Sequence, residues 1–431
     1  MPEQFSMNNI ILFLFALIIY VSPAYSKVNF VRAMFNKDAS KQITVAWNQL
    51  SGEKAEFYFD TVLPTDLNFS YKKLIDKTVQ AKGMKTHFVR LSDLKPNQRY
   101  YFSIKDSEGY SMVYYVSTVP DDPNKTIAFI AGGDSRDRRD TRKKANILVS
   151  KLKAHAVLFN GDFTGLDLER QWVEWFEDWE ASISSDGRIT PLVVTRGNHE
   201  ISNKVLVDLF DVPSKNIYYN TTFGGTLLNL VSLNSEILKF GRQRLFLRST
   251  LKNHESYSWQ IMQYHRPVRP HVGHKKEMET QYRNFVPLFE RYPNVRLALE
   301  NDSHTCKTTW PIVQSEAPGS EEGFIRNDDK GIVYVGEGCW GAPLRQPDDN
   351  KCWTRNSEAI NQFNWIFVSK EKIEVRTIKY ENAELVESLT EDTRFLMPEN
   401  IDVWNPSNGP LIEIYPRVIR PSHSEYEQPK N

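Results

Sequence analysis

The 431-residue chain carries 54 basic and 54 acidic side chains, so its formal net charge is zero. With 40% hydrophobic and 12% aromatic residues it has the composition of a folded protein with a well-filled core, and the length for one large domain plus a smaller one. The missing basic excess argues against a nucleic-acid partner, which would call for charge that neutralises phosphates.

At the N-terminus, Ile10 to Val21 reads IILFLFALIIYV, an apolar run too short for a comfortable membrane span. Ala24-Tyr25-Ser26 follows it and fits the small-x-small pattern of a signal-peptidase site. Together they predict a signal peptide over residues 1–26, a secreted or periplasmic mature protein, and no stable membrane insertion after cleavage. Export permits disulfides. The cysteines are Cys306, Cys339 and Cys352. Three pairings are open, with Cys339–Cys352 expected first because these two bracket a Gly/Pro/Asp/Asn loop. Sequons stand at Asn68, Asn124, Asn220 and Asn301.

From residue 27 to 120 the pattern is one of short strands. KQITVAWNQL alternates Ile43, Val45 and Trp47 on one face, and LKPNQRYYF sets a Pro turn before an aromatic strand, as β-sandwich domains do. VPDDPNK (119–125) reads as a linker. Between residues 125 and 390, strands alternate with amphipathic helices. DTRKKANILVSKLKAH carries Ala145, Leu148 and Leu152 on one side. ERQWVEWFEDWEASI places Trp172, Trp175, Phe176 and Trp179 at i, i+3, i+4, i+7, a stripe expected to pack in the core. Residues 391–431 show prolines and few strong signals, and are expected to wrap the surface or hang loose.

Five apolar strands end on potential metal ligands. FIAGGD ends on Asp134, VLFNGD on Asp162, VVTRGN on Asn198, IMQYH on His265, and LALENDSH on Asp302 and His304. In α/β sheets ligands gather beyond the carboxyl ends of strands. Carboxylates, imidazoles and an amide oxygen suit two divalent ions, which can clamp a phosphoryl group and activate water.

This ordered set, with GNHE at residues 197–200, resembles the calcineurin-like metallophosphoesterases, and the strand-rich segment before it makes the chain similar to the purple acid phosphatase branch. The resemblance implies an all-β, fibronectin-III-like sandwich followed by an α/β domain, the metallophosphoesterase αββα sandwich. It implies a first metal on Asp134 and His304, a second on Asn198 and His265, and Asp162 bridging them. The cofactors would be two divalent ions (Fe, Mn, Zn or Mg), and metal-bound hydroxide would attack a small phosphate-ester substrate. His199 matches the family's catalytic histidine, the first choice for the acid that protonates the leaving alcohol. His271 and His274, in HRPVRPHVGHKKE, are second choices.

Three positions depart from the pattern. Gly165 stands where the family has its tyrosine ligand, so no purple colour is expected. Arg136 stands where the family has glycine; its fork suits phosphate oxygens. Asp302 stands where the family has a histidine, which makes the second site richer in oxygen. The expected function is a secreted phosphate-monoester hydrolase. A phosphodiesterase or nucleotidase on the same centre is the alternative, and a non-enzymatic binding protein with a degenerate site is a further one.

Overall fold

A computed structural model describes residues 26–417. The predicted leader, up to residue 25, lies outside the described residues. Two sheets carry the larger domain. The first has ten strands, and its centre is Ile127–Gly132, Ala156–Phe159 and Leu192–Val194, all parallel. These are runs of β-branched, aliphatic and aromatic residues, almost wholly buried, as strands covered on both faces must be. The second has seven strands, with Leu228–Ser232, Trp259–Gln263, Val295–Glu300 and Val333–Gly336 parallel at its centre.

The helix Glu169–Trp179 lays Trp172, Trp175, Phe176 and Trp179 into the core of the first sheet. Trp175 meets Phe163 at 5.1 Å and stacks on Trp179 at 5.1 Å. Arg139–Leu152 buries Ala145, Leu148 and Leu152 beside it. Both faces follow the helical period of the sequence. Burying one such aromatic stabilises the fold by roughly 1.5–3 kcal/mol.

The N-terminal region is all-β, but it is not a free-standing sandwich. Val28–Met34 runs parallel to Leu192–Val194, with Met34 opposite Leu192. Through it, Ile43–Gln49, Met84–Leu91 and Lys77–Ala81 continue the first sheet of the larger domain. The other N-terminal strands form a five-stranded sheet around Arg99–Asp106. Trp47 stacks on Phe57 between the two layers. At the opposite edge, Leu411–Ile414, in the segment expected to lack strong signals, adds the last strand of the ten.

The expected Cys339–Cys352 disulfide is absent: all three cysteines are free. Cys339 is buried and its neighbour Trp340 is hydrogen-bonded to Gly133, while the loop after it carries Cys352 to the surface. Of the sequons, Asn301 is buried beneath the strand ends and is closed to a glycan.

Candidate metal centre

The carboxyl ends of the two sheets meet, and there all six predicted ligands converge. Asp134 and Asp162 come from the first sheet, and Asn198 lies beyond Leu192–Val194. His265, Asp302 and His304 come from the second. Two hydrogen bonds tie the sheets at this point: His265 Nδ1 to the Asn160 carbonyl (2.8 Å), and the Asp302 amide to Asp134 Oδ2 (3.0 Å).

The residues sort into two clusters that share one member. Asp134, Asp162 and His304 bring one ligand atom each within 4.8 Å of one another, and so do Asp162, His265 and Asp302. His304 Nε2 lies 3.2 Å from Asp134 Oδ1. His265 Nε2 lies 3.3 Å from Asp162 Oδ1, 3.6 Å from Asp302 Oδ1 and 3.2 Å from Asn198 Oδ1. Both imidazoles are oriented from behind. His265 Nδ1 donates to Asn160 O and His304 Nδ1 to Pro343 O (3.1 Å), so each Nε2 faces the cluster, where an ion would take its lone pair in place of a proton.

The backbone shows that these positions are held by force. Asp134, Asp162, Asp302 and His304 all adopt positive φ, between 55° and 71°. Such conformations cost about 1–3 kcal/mol each in a non-glycine residue and persist where the surroundings over-determine them. Part of that constraint comes from the loop 337–345, which sequence reading assigned no role. The amides of Gly341 and Ala342 donate to Asp134 O (3.1 and 2.8 Å), and the His304 amide donates to Glu337 O (2.7 Å). Gly338 has φ +73°, and a Cβ there would overlap the Asp134 carboxylate. Only glycine fits.

Glu200 is a second residue that sequence reading passed over, although GNHE contains it. Fully buried, it accepts hydrogen bonds from the amides of Asp162 (3.0 Å), Phe163 (2.9 Å) and Gly197 (2.7 Å). It thereby pins the Asp162 turn to the Asn198 turn. Burial, with the Asp162 carboxylate nearby, pushes its pKa up to about 8. Asp162 behaves oppositely: burial raises its pKa, but the charge of His265 outweighs that and holds it at about 2. Behind the ligands lies a buried ionic group, with Lys307 Nζ 2.5 Å from Glu300 Oε2 and 2.7 Å from Glu337 Oε1.

The remaining predicted residues divide. His199 Nδ1 is held by Gly165 O, and its Nε2 faces Asp162 Oδ2 at 3.7 Å, partly open to solvent. Arg136 Nη1 lies 3.3 Å from His304 Nε2, at the mouth of the first cluster. Neither loop histidine is brought to the centre. His271 is buried between Glu337 Oε1 (3.4 Å) and Thr354 Oγ1 (2.7 Å). His274 is exposed, and among the described residues it has no hydrogen-bond partner. The adjacent residue reaches in instead: Lys275 Nζ is 2.8 Å from Asp302 Oδ2. At Gly165, a Cβ would come within 2.6 Å of Asp137 Oδ1, so this carboxylate stands in the space a side chain would enter.

The donor set fits a pair of divalent ions. Asp134 Oδ1 and Asp162 Oδ2 are buried without a hydrogen-bond partner, which is costly for carboxylate oxygens unless a cation receives them. Each lies in one of the two clusters or in their shared member. The sequence comparison agrees with the geometry, since a family model for calcineurin-like phosphoesterases matches residues 131–306. These residues form a calcineurin-like phosphoesterase domain. A model for the purple acid phosphatase N-terminal domain matches residues 28–118.

Among solved structures, the purple acid phosphatase PPD1 from yellow lupin (Lupinus luteus) seeds shares the fold with a TM-score of 0.69 at 16% identity, over 84% of this chain and 73% of that one. PhoD superposes with a TM-score of 0.62 at 11% identity, over 84% and 87%. No curated protein sequence matches the chain. Among the described residues, no helix is long and apolar enough to cross a membrane.

Proposed function

We propose that this chain is an exported phosphatase that hydrolyses small phosphate monoesters at a two-metal centre. The observation that carries the reading is the pair of ligand clusters joined through Asp162, with unpartnered carboxylate oxygens directed into them. Asp134, Asp162 and His304 would hold one ion, and Asp162, Asn198, His265 and Asp302 the other. Bound there, the ions would supply Lewis acidity to the phosphoryl oxygens and lower the pKa of water.

The chain's own groups do the rest. Arg136 offers planar N–H donors to phosphate oxygens at the mouth of the first cluster. His199 is fixed through Nδ1 by Gly165 O, which leaves Nε2 beside the shared ligand to protonate a departing alkoxide. The strained turns and the Glu200 staple keep the ligands in place before substrate arrives, so little reorganisation remains for the reaction.

Elemental analysis of the purified protein after supplementation with divalent ions tests the metal part of this reading; close to two ions per chain is the expected result. A panel of mono- and diester substrates tests the rest. Faster turnover of diesters would replace the monoesterase reading with a phosphodiesterase. An intact fold that holds no metal and cleaves no ester would overturn the enzyme reading in favour of a binding protein.

A further inference from the structure

The segment from Asp302 to His304 is bordered by three cations. Lys275 Nζ contacts Asp302 Oδ2 at 2.8 Å. Arg345 Nη1 donates to the carbonyls of Asp302 (3.2 Å) and Ser303 (3.3 Å), and its own amide donates to His304 O (2.9 Å). Arg136 Nη1 closes the row at 3.3 Å from His304 Nε2. Their charges are incompletely used. Among the described residues Arg345 bonds only to main-chain oxygens. Arg136 has one ion pair, at 3.4 Å with the exposed Asp137, and its Nε is buried without a partner. Lys275 directs one bond at Asp302 and keeps two further N–H donors.

Charge counting gives the row a purpose. The ligand carboxylates Asp134, Asp162 and Asp302 carry three negative charges, and the three cations cancel them. Asp137, the partner of Arg136, adds a fourth carboxylate, so the two divalent ions of the proposed function would leave the pocket three charges positive before an attacking hydroxide is counted. Arg136 alone can meet one phosphoryl group, which leaves the spare N–H donors of Arg345 and Lys275 beside it for a further anion. Cations gathered around one short segment favour a ligand with a second anion close to the first.

We propose that Arg345 and Lys275 form a second anion subsite beside the metal centre, which selects phosphate compounds bearing a further phosphoryl or carboxylate group next to the scissile one. The subsite rests on the phosphoesterase reading and specifies its substrate class. It assigns Arg136 to the scissile phosphoryl group, with Arg345 and Lys275 holding its neighbour.

Calorimetric titration of the metal-loaded protein tests this without turnover, using orthophosphate, a non-hydrolysable methylene bisphosphonate and a phosphonocarboxylate as probes. The bisphosphonate is expected to bind at least about tenfold more tightly than orthophosphate, as charge-assisted contacts would give. Arg345→Gln and Lys275→Gln should each narrow that ratio several-fold, and the double variant should bring it close to one. If the phosphonocarboxylate shares the preference, the subsite reads charge; if only the bisphosphonate does, it reads a phosphoryl group.

Thermal melting establishes that each variant is folded, and Arg345→Lys, which keeps the charge, should retain most of the preference. Equal affinity for orthophosphate and the bisphosphonate in the unaltered protein would overturn the proposal while leaving the phosphoesterase standing. So would a loss of metal from Lys275→Gln with the ratio intact, since Lys275 would then only orient Asp302. A protein that takes up no metal and cleaves no ester would remove the phosphoesterase reading, and the subsite with it.

Discussion

The two halves of the candidate metal centre are built differently. The cluster around His265 has four candidate ligands: His265 is fully buried, and Asp302 is held by Lys275. The cluster around His304 has three, and it is bordered by Arg136. Their supports differ as well. The His304 cluster is shaped by backbone, through loop 337–345 and its glycine at 338, whereas the His265 cluster is shaped by side chains. Three protein ligands are typical of an open catalytic metal site, and a more complete shell is typical of a site that holds its ion firmly. In the proposed centre, the smaller shell would put substrate access on the His304 side and firmer retention of the ion on the His265 side.

Asp162 is the place where this asymmetry can be broken outright. Asp162→Asn takes the shared charge from both clusters, so both ions should be lost and turnover should fall on the order of a thousandfold or more, as when the principal electrostatic group of a site is removed. Metal analysis and ester hydrolysis measured on the same preparation check it. Activity that survived the change would refute the bridging assignment.

His304→Ala and His265→Ala sharpen the comparison. His304→Ala should leave about one ion per chain, because the three-ligand shell drops to two carboxylates while the other keeps its set. His265→Ala should cost more, since His265 is also hydrogen-bonded to Asn160 across the two sheets, and removing its ring leaves a cavity where the sheets join. Stoichiometry and melting temperature together distinguish these outcomes. Equal metal loss and equal destabilisation from the two variants would mean the halves are alike.

How much of this was legible in the sequence follows the same division. Each of the six candidate ligands sits just beyond an apolar strand, and strand-end Asp, Asn and His can be read from pattern alone. The stripe Trp172–Trp179 was legible for a similar reason, because a helical period needs only spacing. Loop 337–345 was not, since its work is done by main-chain amides and by the absence of a side chain at Gly338, neither of which leaves a chemical signature in a string of residue types. Lys275 was missed by one position, because histidine drew the argument to His274 and only the loop's path shows which neighbour turns inward. The merging of the N-terminal strands with the larger sheet was equally hidden. Met34 and Leu192 are 158 positions apart, and no local pattern marks their pairing.

Glu200 offers a smaller test of how the shared ligand is held. It accepts from three amides, two of them through Oε2. In Glu200→Gln the amide group can accept at only one oxygen, so at least one buried N–H would face an NH2. The expected cost is about 3 kcal/mol of stability, with weaker metal retention at both clusters because Asp162 is no longer fixed. Chemical denaturation checks the first effect and metal titration the second. If only one cluster weakened, the staple would belong to that half alone.

The smallest expected effect lies at the joint between the N-terminal strands and the larger domain, far from both halves of the centre, and it serves as the control. Glu391 accepts from Arg99 Nε (2.6 Å) and Ser117 Oγ (2.8 Å) on the N-terminal side, and from Arg188 Nε (3.1 Å) in the larger domain. Burial raises its pKa, but Arg188 and Arg394 outweigh burial and bring it from 4.5 to about 2. A folded-state pKa below the unfolded value contributes stability above about pH 4.5, and that contribution drains away as the pH falls toward 2. Glu391→Gln should therefore cost about 2 kcal/mol at neutral pH and progressively less between pH 4.5 and 2. Denaturation midpoints across that range measure it. Metal content and ester turnover at neutral pH should not change, and a shift in either would mean that the joint between domains also positions the ligand turns.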